Sequence, residues 1–451
     1  MDGDEQKSND VQEEETVCLL DLENEKQDEI TTRKANKESQ GIFFTGCTNF
    51  VEIVNLNLTA MDQMCCSGLL YSSYVFCRGI LKTIWVIANN LYCFPTHTLW
   101  MLTLFPLKKC KPSMYWKIEG LIYHWMISMV GCWSWVSGYN VVEVGDDVTR
   151  ILDQTVLVIA NHQSTADVPL MMGCFNAKEG VLPNLMWIMD SVFKYTNFGI
   201  VSYFHDDFFI LSGPENRERG VQLLRRHLEK VYKTLNRKWL ILFPEGGFLH
   251  KRREASNRYL EKNAELIGFS ELRNVTLPRV GAMEAIIESL APPAVHLDST
   301  LDYNSAAEEG VDPLSNLSNH VIIPPDEPCL KYILDITIAY PSGKPLSLLD
   351  IVTGSKEPRD TFFLYKIYDT KQIPSDTEGM KKWLYNLFKQ KDDVLQHFYN
   401  TGKFPVEMGD GNLLRRPVQQ DNLKFVILHC TFIVSTYMHY CIFSYLYSLL
   451  W

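Results

Sequence analysis

Apolar residues along this chain fall into short unbroken runs and into longer stretches at helical spacing, and the two kinds alternate. Gln154 to Ala160 (QTVLVIA), Trp239 to Phe243 (WLILF) and Tyr332 to Tyr340 (YILDITIAY) read as buried strands. In the last, Asp335 and Thr337 alternate with Leu334, Ile336 and Ile338. Val221, Leu224, Leu228, Val231, Tyr232 and Leu235 recur as one face of an amphipathic helix does, and the pattern returns from Met380 to Tyr399. Strand, helix and strand in that order predict an α/β domain over residues 146–375, a mostly parallel sheet covered by helices, with a helical extension over 376–424. Residues 291–328, rich in Pro, Ser, Asn, Asp and Glu and without a period, read as a flexible insert.

Three stretches lack charge altogether. Thr83–Leu107 is long enough to cross a bilayer, and Leu121–Asn140 is rich in the Trp and Tyr that favour an interface. Basic residues flank the first on both sides, which suits a segment that enters and leaves by one face. The expectation is a membrane-embedded helical hairpin within residues 62–145; its alternative is an apolar pair packed on the soluble domain. Phe425–Trp451 contains no Asp, Glu, Lys or Arg and is expected to be a C-terminal transmembrane segment.

Charge changes the picture at one end only. The net charge is −11 over 451 residues, and residues 1–40 hold 13 acidic and 5 basic side chains, so most of it lies there. Residues 1–45 are therefore expected to form a disordered acidic head that binds no nucleic acid and has no cleavable signal peptide. The 12 cysteines include no C-x-x-C pair and read mainly as reduced packing residues in a chain whose soluble part faces the cytosol. The adjacent Cys65 and Cys66 are a candidate for S-acylation.

The candidate chemistry begins where the first strand ends, at Asn161-His162-Gln163-Ser164-Thr165-Ala166-Asp167. In a continuous helix, residues five apart point about 140° away from one another, so His162 and Asp167 meet only if a loop joins them. Polar residues supply the loop, and Pro169 suits the first turn of a new helix. The pair then lies at the carboxyl end of a strand, where α/β proteins commonly keep ligands. There the aspartate can orient the imidazole as a general base, a role typically worth about 10²–10⁴ in rate. Spacing alone leaves this open against a structural histidine capped by Asp. With no G-x-S-x-G elbow in the chain, direct activation of a substrate hydroxyl is simpler than covalent catalysis.

A second constellation stands at the next strand end: Phe243-Pro244-Glu245-Gly246-Gly247. Proline stops the ladder and the glycines let a ligand approach the backbone. Glu245 stands at the same sheet edge, to bond a polyol or to order the loop. Further on, Lys251 and Arg252 sit in a basic run that suits phosphates or anionic headgroups, or a solvated helix face.

Taken together, NHxxxxD, FPEG and Leu277-Pro278-Arg279 resemble the hallmark blocks of the glycerolipid acyltransferases of the lysophosphatidic-acid acyltransferase type. The resemblance implies acyl transfer from acyl-CoA, as co-substrate, to the hydroxyl of a lysophospholipid, with the catalytic domain on the cytosolic face of the endoplasmic reticulum. It implies His162 as general base and Asp167 as its orienter. Asn161, Pro244, Glu245, Gly246, Gly247, Pro278 and Arg279 would bind or shape the substrate pocket, and no metal or other cofactor is needed. Lysophosphatidylglycerol or lysophosphatidylethanolamine is the expected acceptor, with lysophosphatidic acid, lysocardiolipin or a monoacylglycerol as alternatives. A thioesterase and a membrane scaffold without activity stand as rivals from other classes. One departure stands out. Where the family places an arginine after the Phe-Ile pair of its second block, Phe209-Ile210 is followed here by Leu211, with Arg217 and Arg219 as possible substitutes.

Overall fold

The computed structural model describes residues 68–211, 213, 216–290, 329–405 and 415–451. The expected acidic head, the Cys65–Cys66 pair and the insert at 291–328 lie outside the described residues. The chain divides into Met1–Cys77 and Arg78–Trp451, and the sheet belongs entirely to the second unit.

Eight strands form that one sheet: β1 Tyr139–Gly145, β2 Val156–Ala160, β3 Leu185–Asp190, β4 Phe208–Ile210, β5 Trp239–Leu242, β6 Tyr332–Ala339, β7 Arg359–Asp369 and β8 Arg416–Pro417. Their order is β4-β3-β5-β2-β6-β7-β1-β8. The pairs β6–β7 and β1–β8 are antiparallel and the others parallel. The sheet thus reaches beyond the expected limits of 146–375, to β1 on one side and β8 on the other. Strand β2 sits in the middle with all five residues buried. A strand buried on both faces is an unbroken apolar run, which makes it legible in the sequence.

The main helices are α1 Gly68–Cys110, α2 Pro112–Trp135, α3 Asp167–Asn176, α4 Asn197–Phe204, α5 Arg217–His227, α6 Leu249–Lys262, α7 Gly281–Leu290, α8 Thr377–Thr401 and α9 Asn422–Leu450. On one face of the sheet Val156, Val158 and Ala160 pack with α2 and α3; on the other Leu157 and Ile159 pack with α5, α7 and α8. Helices α2 and α3 approach so closely that a Cβ on Gly131 would lie 2.9 Å from the Gly173 backbone. Helix α8 carries the pattern expected from Met380, capped by Asp376 at its start and by Gly402 in the left-handed region at its end.

The expected N-terminal hairpin takes a different form. Most of Leu121–Asn140 lies in α2, where Tyr123, Met126, Ile127, Met129, Val130, Cys132 and Trp133 are buried in the core, and its end enters β1. An apolar run of this kind suits lipid, but here it is covered by protein instead. Thr83–Leu107 lies within α1, which exposes Ile80, Leu81, Ile84, Ile87 and Leu91. Among the described residues, α9 is the one helix long and apolar enough to cross a membrane. It exposes Tyr437, Tyr440, Phe443 and Tyr447 along its length, and Trp451 is exposed just past its end. Two polar residues of α1 turn towards α9: Asn89 Nδ2 lies 3.3 Å from His429 Nε2, and the hydroxyls of Thr96 and Thr436 are 2.8 Å apart. Trp85 stacks on the His429 ring at 5.9 Å between centroids.

Candidate active site

Strand β2 ends at Ala160, the chain loops, and α3 starts at Asp167 with Pro169 in its first turn. This brings His162 Nδ1 to 2.9 Å from Asp167 Oδ2. Asp167 is fully buried and His162 keeps 13% of its side chain exposed. The same Oδ2 accepts the backbone N–H groups of Gln163 at 2.7 Å and Ser164 at 3.0 Å, and the hydroxyl of Tyr340 donates to Oδ1 at 2.5 Å. A carboxylate surrounded by donors only accepts, so the imidazole carries its proton on Nδ1 and presents a lone pair at Nε2. The start of α3 adds the positive end of its dipole to the carboxylate's surroundings. His162 packs between Phe243 and Phe248, at 4.2 and 4.4 Å between ring centroids.

Glu245 comes in from the end of β5, fully buried, and faces the protein interior. Its Oε1 accepts the backbone N–H of His162 at 2.7 Å, while Oε2 accepts the N–H of Thr276 at 2.8 Å and its hydroxyl at 2.6 Å. Desolvation raises the carboxyl to about 7 against those hydrogen bonds. Of the two roles the sequence leaves open, ordering the loop is the one these bonds perform. The Pro244 carbonyl accepts the N–H of Arg279 at 2.7 Å, so the FPEGG turn is joined both to Thr276 and to the Leu277-Pro278-Arg279 block beside it.

Gly246 has a φ of 65° and Gly247 of 155°. A Cβ on Gly246 would meet the Arg279 guanidinium at 3.2 Å, and one on Gly247 would meet Arg252 Cδ at 3.0 Å. Two arginines therefore lie over the glycine turn. Burial and the nearby positive charge of Arg217 push Arg252 below its usual value. Arg279 is lowered by burial and by both Arg252 and Arg217. Arg252 Nε is buried without a hydrogen-bond partner among the described residues. The three side chains share one cationic corner. Arg217 opens α5, just after β4, and the Leu211 backbone runs beside Gly220 of that helix at 3.8 Å from an added Cβ.

The remaining candidates divide. Asn161 is fully buried and pairs with both backbone groups of Ile338 on β6, at 3.1 and 2.7 Å, so it fastens the loop to the sheet. Pro278 is buried beside Arg279, and Lys251 lies over the Phe248 ring at 5.6 Å. Among the described residues no three His, Cys, Asp or Glu side chains converge as metal ligands.

Three contributors lie beyond the reach of sequence reasoning. Thr276 and Tyr340 hold the two carboxylates, and Tyr399 of α8 exchanges hydrogen bonds with the Gln163 side chain at 2.7 and 3.1 Å. Tyr340 and Tyr399 are 178 and 237 positions beyond His162 on the chain, so no local spacing announces them.

The acyltransferase family model matches residues 140–292, and a model described as acyltransferase C-terminus matches residues 350–429. Acyl-CoA:lysophosphatidylglycerol acyltransferase 1 of Homo sapiens is 36% identical over 377 residues, covering 84% of this chain and 96% of that protein. Lysocardiolipin acyltransferase 1 of Gallus gallus is 23% identical over 327 residues, 72% of this chain and 74% of that one. The crystal structure of the 1-acyl-sn-glycerophosphate (LPA) acyltransferase PlsC from Thermotoga maritima aligns with a TM-score of 0.34 at 13% identity, over 70% of this chain and 98% of that one.

Proposed function

Since the chain belongs to the glycerolipid acyltransferase family, we propose that it transfers an acyl chain from acyl-CoA to the free hydroxyl of lysophosphatidylglycerol or lysophosphatidylethanolamine. The observation that carries the mechanism is the His162–Asp167 pair, 2.9 Å apart at the end of β2, with Nε2 turned away from the carboxylate. Nε2 takes the proton of the acceptor hydroxyl as its oxygen attacks the thioester carbonyl. The tetrahedral intermediate collapses, the carbon–sulfur bond breaks, and the proton passes from the imidazolium to the CoA thiolate. Asp167 stabilises the imidazolium between the two steps and keeps its ring in place. Phe243 and Phe248, against the imidazole, restrict water, which favours the lipid hydroxyl over hydrolysis.

Arg217, Arg252 and Arg279 form the subsite for phosphate, whether of the acceptor or of CoA, and Lys251 stands beside it. Planar guanidinium groups suit phosphate oxygens, and three that repel one another gain by receiving an anion. Gly246 and Gly247 leave the room this needs, and Pro244 and Pro278 shape its wall. Helix α9 anchors the enzyme in the membrane of the endoplasmic reticulum with the α/β domain on the cytosolic side. The exposed apolar face of α1 rests on the same bilayer.

The reading is tested with purified full-length protein in lipid nanodiscs, oleoyl-CoA and a panel of lysolipids: lysophosphatidylglycerol, lysophosphatidylethanolamine, lysophosphatidic acid, monolysocardiolipin and a monoacylglycerol. Mass spectrometry is expected to find acylated product from the first two and none from His162→Ala. Full transfer by His162→Ala would overturn the mechanism, and product from another lysolipid alone would overturn the acceptor.

A further inference from the structure

The two oxygens of Asp167 face different partners. Oδ2 serves the loop, where His162, Gln163 and Ser164 surround it. Oδ1 points towards Tyr340, which directly follows β6 and is fully buried, and whose hydroxyl donates to it at 2.5 Å. The Ser164 hydroxyl is the other group near, at a weak 3.5 Å from Oδ1 and 3.4 Å from the tyrosine oxygen. We propose that Tyr340 is a positioning residue of the catalytic centre, whose phenol fixes the Asp167 carboxylate and thereby sets the orientation and basicity of His162. This rests on the reading of His162 as the general base.

The chemistry of the bond gives it a consequence beyond packing. An O–H donor to a carboxylate is charge-assisted and draws negative charge towards itself. Burial and the Asp167 charge raise the phenol well above its ordinary value, so it stays protonated and remains the donor. Without that donor the carboxylate directs more of its charge at the imidazole, and His162 holds a proton more tightly. A stronger donor has the opposite effect. The other titratable groups facing the pair are Glu245, on the backbone side of His162, and Tyr399, from α8. Tyr399 bonds the Gln163 side chain and the Tyr340 backbone and feels the Asp167 charge, yet it donates no hydrogen bond to the carboxylate, so it serves as the comparison for a nearby phenol without that bond.

The experiment measures kcat/KM against pH for the full chain in nanodiscs, with oleoyl-CoA and the lysolipid the wild type acylates fastest. Tyr340→Phe is expected to lower kcat on the order of tenfold with little change in KM. Its acid limb should move up by about half to one pH unit. Tyr340→3-fluorotyrosine keeps the ring and the hydroxyl but donates more strongly, and should move the limb down; it decides the matter if Tyr340→Phe does not fold. Tyr399→Phe, which removes a neighbouring phenol but no donor to the carboxylate, should move the limb less than Tyr340→Phe does; an equal shift would defeat the role of the Tyr340 bond. Activity in His162→Ala would defeat the base assignment on which the proposal rests. An inactive His162→Ala alongside Tyr340 variants with the wild-type acid limb would defeat the positioning role alone.

Discussion

The Glu245 carboxylate accepts the backbone N–H of His162 at 2.7 Å, so the FPEGG turn holds up the NHxxxxD loop from behind. Its other oxygen is bound by Thr276, and the whole side chain is buried. A glutamate whose place at the sheet edge suggests contact with substrate is, in this geometry, the strut of the His162–Asp167 loop.

Glu245 should make stability depend on pH. Desolvation raises its carboxyl from an ordinary 4.5 to about 7. Between those values the folded chain holds a proton that the unfolded chain has released. Stability is then fully present below pH 4.5 and falls as pH rises to about 7, by roughly 3 kcal/mol at 1.36 kcal/mol per unit. Glu245→Gln has no proton to lose there and should flatten that slope. Thermal melting of both proteins between about pH 4.5 and 8 checks this, and identical slopes would refute it.

Asp167→Asn should cost both activity and stability. The carboxylate accepts from three neighbours besides His162, and an amide nitrogen in its place meets at least one of those donors with another donor. The expected loss is about 10²–10⁴ in kcat, with roughly 1–3 kcal/mol of stability for the groups left unpaired. Full burial of Asp167 is why the substitution should reach stability as well as activity. His162→Ala removes a side chain that is itself partly exposed and should be the milder change to the melting temperature.

Replacing any one of Arg217, Arg252 or Arg279 with Gln should raise KM about tenfold for a phosphate-bearing substrate. The change in kcat should be small, because in the proposed reading the three guanidinium groups meet phosphate and take no part in the proton transfer. Rising ionic strength should narrow the difference from wild type. Unchanged KM for acyl-CoA and for lysolipid in all three variants would remove the phosphate subsite.

Asn89 joins three partners at the crossing of α1 and α9: it accepts from Trp133 Nε1 at 3.2 Å, donates to the Tyr92 hydroxyl at 3.1 Å and lies 3.3 Å from His429. Between apolar helices such bonds contribute about 0.6–2 kcal/mol each. Asn89→Leu should lower the melting temperature in detergent and expose α9 to protease, with His162 chemistry retained. Wild-type resistance of α9 would show that the polar contacts do not hold it.

The sequence reveals what is repeated or local. Strands β2, β5 and β6 stand out because each is apolar through most of its length, and α8 because its face recurs without interruption. The strand β7, RDTFFLYKIYD, does not: its burial pattern follows neither alternation nor an unbroken run, and it pairs antiparallel to β6 on one side and parallel to β1 on the other. Helix α2 departs from the expected hairpin because lipid and protein core select the same apolar residues. Its buried Glu119 is the clue, since its carboxylate reaches His205 at 2.8 Å, and His205 in turn stacks on Tyr123.

By itself the sequence determined the α/β alternation, the apolar C-terminal segment, and the way His162 can pair with Asp167, because a five-residue spacing leaves a loop as the only way for the two to meet. Only the tertiary structure decided what surrounds that pair. Tyr340, Thr276 and the arginine corner come from segments far apart on the chain, brought together around the ends of β2, β5 and β6. Hydrogen bonds and charge repulsion act over a few ångströms of space, and no spacing along the chain encodes those distances.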